Sequence, residues 1–228
     1  MNPRRFRRIQ EVLARRQPDL TVLMERVNKP HNFAAILRNC DAVGILEAHV
    51  VPPKKGIHLS NHTSAGTAKW VSVQTHSDVE AAVRAVRKAG FRVLAAHPAQ
   101  DAVDFRTVDF TQPVAIMVGA ELEGISAEGL AAADEKIVIP MAGMARSLNV
   151  SVATALLLFE AQRQRAQAGF YGTCRISEEE YRTRLFEWCH PELAELLKKR
   201  NRPYPPLSPE GEPILKPGAL QEDEYTKS

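Results

Sequence analysis

A chain of 228 residues with 44% hydrophobic and 25% charged side chains has the composition of an ordinary globular domain, which excludes wholesale disorder. It is long enough to bury a full core without disulfides, and its three cysteines (Cys40, Cys174 and Cys189) are odd in number and far apart, as expected in a reducing compartment. The formal net charge is only +3, no stretch approaches the roughly 20 apolar residues of a membrane helix, and the arginine-rich start lacks the apolar run of a secretory signal, so a cytoplasmic protein is expected.

Residues 4–16 place Phe6, Ile9, Val12 and Leu13 at helical spacing, with arginines on the other face. Residues 21–27 form an apolar, β-rich stretch that reads as a buried strand. In residues 32–43, Phe33, Ile36, Leu37, Cys40 and Val43 share one helix face, with Asn32 as the candidate N-cap and Gly44 as the stop. A strand over 47–51, ended by Pro52 and Pro53, completes a strand–helix–strand unit of the kind that builds parallel sheets. A helix over 78–89 and a strand over 91–96 repeat the pattern. Residues 114–118 form a continuous apolar run, as in a strand covered on both faces, and 137–140 form another. Residues 150–167 predict a long helix that is apolar nearly all round at 155–159, hence buried on its own sheet and against a partner subunit. Ser177 and Glu180 make a capping box before a helix carrying Tyr181, Leu185 and Trp188. Beyond Arg202 the prolines predict an extended tail. The expected organisation is a basic N-terminal helix (1–18), an α/β domain with a parallel sheet and flanking helices (19–169), a C-terminal helical extension (170–202) and a Pro-rich tail (203–228).

Open parallel sheets bind ligands at the carboxyl ends of their strands, which directs attention to the loops after Val27, Ala96, Val118 and Ile139. No two glycines are two residues apart, and no G-x-x-x-x-G-K-[ST] is present, so dinucleotide and phosphate-loop chemistry is disfavoured. G-x-S-x-G is missing as well. His58 and His62 are four residues apart, but they lie in a polar loop without a third ligand, so no metal is expected. Three polar clusters remain: Asn32 with Arg38, the glycine loop around Glu121, and Arg146-Ser147-Leu148-Asn149 before a helix. Taken singly, these residues read as a surface arginine, a loop acid and an N-cap. Together, at the strand ends of one sheet, they point to a site.

The segments N-F-A-A-I-L-R-N (32–39), V-G-A-E-L-E-G-I-S (118–126) and I-P-M-A-G-M-A-R-S-L-N-V-S-V-A (139–153) resemble the three motifs of the SPOUT RNA ribose methyltransferases. Flanking stretches at 15–22, 29–32 and 159–165 extend the resemblance over residues 1–175, nearest to the members that methylate the 2′-hydroxyl of guanosine 18 in the tRNA D-loop. The resemblance implies a C-terminal trefoil knot, S-adenosylmethionine as methyl donor, a homodimer and tRNA as partner. By position it implies Arg38 as the catalytic arginine, supported by Asn32, with Glu121, Ser147 and Asn149 beside the reacting groups. Ala96, Gly119, Ile139, Leu148 and the backbone around Met144 would form the adenosyl pocket. Ala96 stands where relatives can carry threonine, and Arg146 where glutamine is common. The basic residues Arg8, Arg16, Arg163, Arg165 and Arg175 are the expected RNA contacts.

These side chains suit the implied reaction. Methyl transfer to a ribose hydroxyl needs in-line placement and a fixed charge near the developing alkoxide. Arginine stays charged, so Arg38 is expected to grip an RNA phosphate and lower the hydroxyl pKa, with a phosphate oxygen as proton acceptor, rather than to act as a base. Rival readings are methylation of ribosomal RNA or of the tRNA wobble ribose, and a silent RNA-binding or chaperone protein. The first lacks its usual additional N-terminal domain here, the second tends to lack the basic extensions, and the retained polar residues disfavour the third.

Overall fold

The computed structural model describes residues 1–53 and 69–215; His58 and His62 lie outside the described residues. Two compact units result, one spanning Arg16–Arg175 and one joining Met1–Arg15 to the described residues from Ile176 onward.

The larger unit is built on a seven-stranded, wholly parallel sheet. Its strands are β1 (Leu20–Glu25), β2 (Glu47–Val51), β3 (Ser72–Thr75), β4 (Arg92–Ala96), β5 (Val103–Asp104), β6 (Val114–Val118) and β7 (Glu135–Val138), in the order β3-β2-β1-β6-β4-β7-β5. The apolar run at β6 is explained by burial on both faces. Val114, Ile116 and Val118 join a core with Ile36, Leu37, Leu157 and Leu158, whereas Ala115 and Met117 face Val79, Val83 and Val86. Helices α2 (Pro30–Val43) and α5 (Val150–Gln167) therefore cover one side, and α3 (Val79–Lys88) with the short α4 (Ala127–Ala132) covers the other. The strand expected over 137–140 begins two residues earlier, at Glu135, and Ile139 lies beyond its end.

Helix α2 begins before the expected cap. Pro30 occupies the first turn, where its missing N–H costs nothing and its fixed φ suits the helix, so Lys29 becomes the N-cap and Asn32 lies inside the helix. That frees the Asn32 side chain for another role. Gly44 ends the helix with φ 88°. Helix α5 has the bounds its sequence predicts, because Asn149 caps it by accepting the Ser151 N–H at 2.9 Å.

Two arginines expected to contact RNA are instead interior. Arg165 is fully buried; its Nε donates to the Phe110 carbonyl (2.8 Å), its Nη2 to the carbonyls of Asp19 and Gln112 (3.0 Å each), and its Nη1 pairs with Asp19 Oδ1 (2.5 Å). Arg16, also buried, pairs with Asp41 at 2.6 Å and donates to the Ile45 carbonyl at 3.0 Å. Both charges are spent inside the fold, so neither side chain is available to a polyanion. Arg175 is half committed in the same way, bidentate on Asp19 (2.7 and 2.9 Å) and 3.9 Å above the Phe170 ring. Burial works to raise the Asp19 pKa, but the hydrogen bonds and charges of Arg175 and Arg165 outweigh it and hold the carboxyl below its ordinary value. Arg163 remains exposed, paired with Glu160 at 2.7 Å.

In the smaller unit, α1 (Pro3–Ala14) packs the face Phe6, Ile9 and Leu13, and α6 (Glu178–Cys189) lies against it. Arg4, Arg5, Arg7 and Arg8 project from the opposite, exposed face of α1. Ser177 caps α6 by accepting the Glu180 N–H at 3.1 Å. Helix α7 (Pro191–Lys199) was not foreseen, and the Pro-rich segment is not extended as far as it is described. Tyr204 stacks on Phe186 with centroids 4.6 Å apart and donates to Glu187 at 3.0 Å, Leu207 joins the α6–α7 core, and Leu207 bridges to Pro213.

Candidate active site

β4, β6 and β7 stand side by side in the sheet, and the loops leaving their carboxyl ends converge. The tightest is residues 119–126. Ala120 and Gly124 exchange two backbone hydrogen bonds (3.0 and 2.9 Å), and a Cβ on Gly119 would lie 2.1 Å from the Gly124 carbonyl carbon. Only glycine at 119 allows this closure, which leaves bare backbone as a wall. Between this loop, residues 96–98 and residues 139–149 lies a cavity of about 570 Å³, within the roughly 300–1,000 Å³ range of small-molecule sites.

A chain of side-chain hydrogen bonds stands at its edge. Asn32 Nδ2 donates to Glu121 Oε1 (2.6 Å), and Asn149 Nδ2 donates to Asn32 Oδ1 (3.2 Å). The Ser151 N–H and hydroxyl donate to Asn149 Oδ1 (2.9 and 2.6 Å), and Asn39 Nδ2 donates to the Ser151 carbonyl (3.0 Å). The amides of Asn32 and Asn149 are thus each fixed in orientation by a donor on one side and an acceptor on the other. Burial would raise the Glu121 pKa. Hydrogen bonds from Asn32 and from the backbone N–H groups of Glu121, Asn28 and Lys29 prevail, so its carboxyl titrates below the usual range and is ionised at neutral pH. Its Oε2 is buried without a hydrogen-bond partner among the described residues.

The expected site residues divide accordingly. Asn32, Glu121 and Asn149 are bonded to one another, and Ala96, Gly119, Ile139, Ser147 and Leu148 line the cavity with Glu121 and Asn149. Met144 does not line it. Its side chain is 99% exposed on the irregular segment after β7 and extends away from the cavity. Arg38 is exposed on α2 outside the cavity lining and has no hydrogen-bond or ion-pair partner among the described residues, while its neighbour Asn39 ties this turn of α2 to α5. Lys29, His97 and Leu122 also line the cavity and were not singled out. The strand-end rule could have found His97, which directly follows β4. Among the described residues no group of three or more His, Cys, Asp or Glu is placed to hold a metal ion, and no helix is long and apolar enough to cross a membrane.

Residues 19–159 match the profile of the SpoU rRNA methylase family, and residues 163–216 match the profile of the SpoU rRNA methylase C-terminal region. A tRNA (guanosine(18)-2′-O)-methyltransferase of Thermus thermophilus is 56% identical over 184 residues, covering 81% of this chain and 95% of the relative. The crystal structure of an Aquifex aeolicus TrmH/SpoU tRNA-modifying enzyme superposes with a TM-score of 0.77 at 41% identity, covering 83% of this chain and 97% of the other. The SpoU methyltransferase AviRb of Streptomyces viridochromogenes, solved with its cofactor AdoMet, gives a TM-score of 0.57 at 31% identity, covering 66% of this chain and 62% of the other.

Proposed function

We infer the activity from the site and from its lineage: the chain belongs to the SpoU rRNA methylase family, and it catalyses S-adenosylmethionine-dependent methylation of the ribose 2′-hydroxyl of guanosine 18 in tRNA. The observation that carries this reading is the Asn32–Glu121–Asn149 chain at the edge of a glycine-walled cavity, in a chain 56% identical to an enzyme of that name.

The residues present fit the donor. The pinched backbone at Gly119, Ala120 and Gly124, with Ala96, Ile139 and Leu148, gives a largely apolar wall for an adenosyl group, with Glu121 and Glu123 as acids beside it, and Ala96 brings no hydroxyl to it. When bound, S-adenosylmethionine supplies an electrophilic methyl group. In the reaction this would support, the ribose 2′-oxygen takes that methyl, S-adenosylhomocysteine leaves, and the hydroxyl proton passes to an oxygen of the adjoining RNA phosphate. The role assigned to Arg38 is to hold the adjoining phosphate and stabilise the negative charge that grows on this oxygen. Its lack of a partner among the described residues leaves the guanidinium open to RNA. Asn32, kept rigid by Glu121 and Asn149, positions the first turn of α2, while Ser147 and Asn149 line the cavity and are assigned to the reacting groups. Exposed Arg8 and Arg163 remain candidates for phosphate contacts.

The functional unit proposed is a homodimer acting on cytoplasmic tRNA. Val152, Leu156 and Phe159 are 48%, 44% and 47% exposed on one stripe of α5, and Leu122 beside the cavity is 88% exposed, an apolar surface suited to a second copy. The family's trefoil knot is also proposed. In its favour, β4 lies between β6 and β7, so the chain passes over the face of β4, through α4, to go from one to the other.

The test is methyl incorporation from labelled S-adenosylmethionine into a tRNA transcript, followed by mapping. Label at guanosine 18 that disappears with a 2′-deoxyguanosine there is the expected result. Label elsewhere, or label that survives the deoxy substitution, overturns the assignment.

A further inference from the structure

We propose that Glu25 is a positioning residue of the donor pocket, holding the 119–126 loop in its closed form from beneath the sheet's edge. The proposal rests on the donor-binding role given above to that loop.

Glu25 is the last residue of β1 and only 1% exposed. The β1–β6 register pairs Met24 with Val118, which sets Glu25 beside Gly119, where the loop begins. Its carboxylate reaches the other end of the same loop: Oε2 accepts the Ser126 N–H at 2.9 Å. The Ser126 hydroxyl is occupied separately, accepting the Gly129 N–H at 3.1 Å. Glu25 Oε1 is buried with no hydrogen-bond partner among the described residues, and the nearest cation, Arg26 Nε, stands 3.9 Å away. A buried, half-satisfied carboxylate costs stability, so packing does not explain it.

The bond has a counterpart running the other way. Glu121, from the loop after β6, accepts Asn32 Nδ2 at 2.6 Å from the first turn of α2, which follows β1, while Glu25, from the end of β1, takes the Ser126 N–H. Two carboxylates thus tie the two segments to each other reciprocally. Between them the chain turns sharply at Arg26, whose φ of 55° is rare for a residue with a side chain and whose N–H is held by the Val51 carbonyl at 2.8 Å. Space for the Glu25 carboxylate and for the Ile125 side chain is left by Gly129, where a Cβ would lie 2.8 Å from both Oε2 and Ile125 Cγ2. Residues 119–125, the segment held between the two clasps, all line the cavity.

The test uses the full-length protein with Glu25→Gln, Glu25→Ala and Gly129→Ala. Binding of S-adenosylhomocysteine is followed by calorimetry, and exchange of the 119–126 amides by mass spectrometry without ligand. Glutamine keeps an acceptor for Ser126 and should hold affinity within about threefold, whereas alanine should weaken it about tenfold or more and speed exchange across the loop. Gly129→Ala, which crowds the carboxylate while favouring helix at 129, should also speed exchange and weaken binding. Unchanged affinity and exchange in folded Glu25→Ala would overturn the proposal, as would a folded glutamine variant as impaired as the alanine one. If Glu25→Ala does not fold, Gly129→Ala decides by the same readouts, unchanged values refuting the proposal. Failure of the unaltered protein to bind S-adenosylhomocysteine would instead remove the donor reading itself.

Discussion

Replacing Arg165 with alanine separates an architectural arginine from an RNA-binding one. The side chain makes hydrogen bonds to Phe110, Asp19, Gln112 and Gln17 from a fully buried position near the end of α5. Alanine deletes these bonds, orphans the carbonyls of Phe110 and Gln112, and leaves Asp19 with Arg175 alone. Breaking a buried ion pair costs about 3–5 kcal/mol. The remaining bidentate Arg175 contact keeps the cost near the lower end, so a loss of about 3 kcal/mol is expected. At about 2–4 °C per kcal/mol for a chain of this size, Tm should fall by roughly 10 °C. Asp19 gives the loss a pH signature. Its folded pKa lies below the ordinary aspartate value, so its contribution to stability is complete above that value and disappears as pH falls through the lower, folded pKa. Arg165→Ala should therefore lose more stability near neutrality than in strong acid. Thermal melts by circular dichroism at several pH values measure both effects, and tRNA affinity below the transition should be unchanged. An unaltered Tm together with weaker, less salt-dependent tRNA binding would refute the reasoning and return Arg165 to the RNA surface.

Arg38→Ala should leave Tm and S-adenosylhomocysteine binding intact while lowering kcat at least about a hundredfold, the scale of a lost charge-stabilising group; single-turnover kinetics on a tRNA transcript check this. Neutralising Arg8 should raise the tRNA KM, and if one phosphate contact is lost the salt slope of log K should fall by roughly 0.7–0.9, as read from binding titrations at several salt concentrations. Leu156→Glu with Phe159→Glu, placed on the exposed stripe of α5, should convert a dimer into monomers in sedimentation velocity without lowering the monomer's helical content. Arg146→Gln, at the cavity lining, should change RNA KM and leave donor affinity within about twofold if the arginine serves a phosphate; a shift confined to donor affinity would assign it to the donor's carboxylate.

The parts legible in the sequence were those whose physics is local or periodic. β6 announced itself because both its faces are covered and every position must be apolar. Helix α5 was legible to the residue, since Asn149 supplies a cap and the apolar run follows at once. β3 escaped because it is a four-residue edge strand with Val73 as its only apolar side chain. The start of α2 was misplaced by reading Asn32 as a cap, although Pro30 is the stronger signal and leaves the asparagine free for Glu121. Arg16 and Arg165 were misread for a different reason. An arginine in a basic stretch looks solvated, and the partners that bury it, Asp41 and Asp19, lie 25 and 146 residues away.

The site was legible through topology and through the three family motifs. Asn32 and Glu121 are separated by 89 residues, and Asn32 and Asn149 by 117, so no local pattern links them. What linked them was the rule that a parallel sheet gathers its loops at the carboxyl ends of its strands. That rule places backbone segments and does not orient side chains, which is why Ser147 and Leu148 line the cavity while Met144, three and four positions earlier on the same irregular segment, does not. Orientation returns where a residue is locked by several partners. Glu121 is held by Asn32, and it is ionised because the hydrogen bonds it accepts outweigh its burial. A carboxylate fixed in this way needs little reorganisation to keep Asn32 in place, whereas stabilising a developing alkoxide calls for a cation, the role given to Arg38.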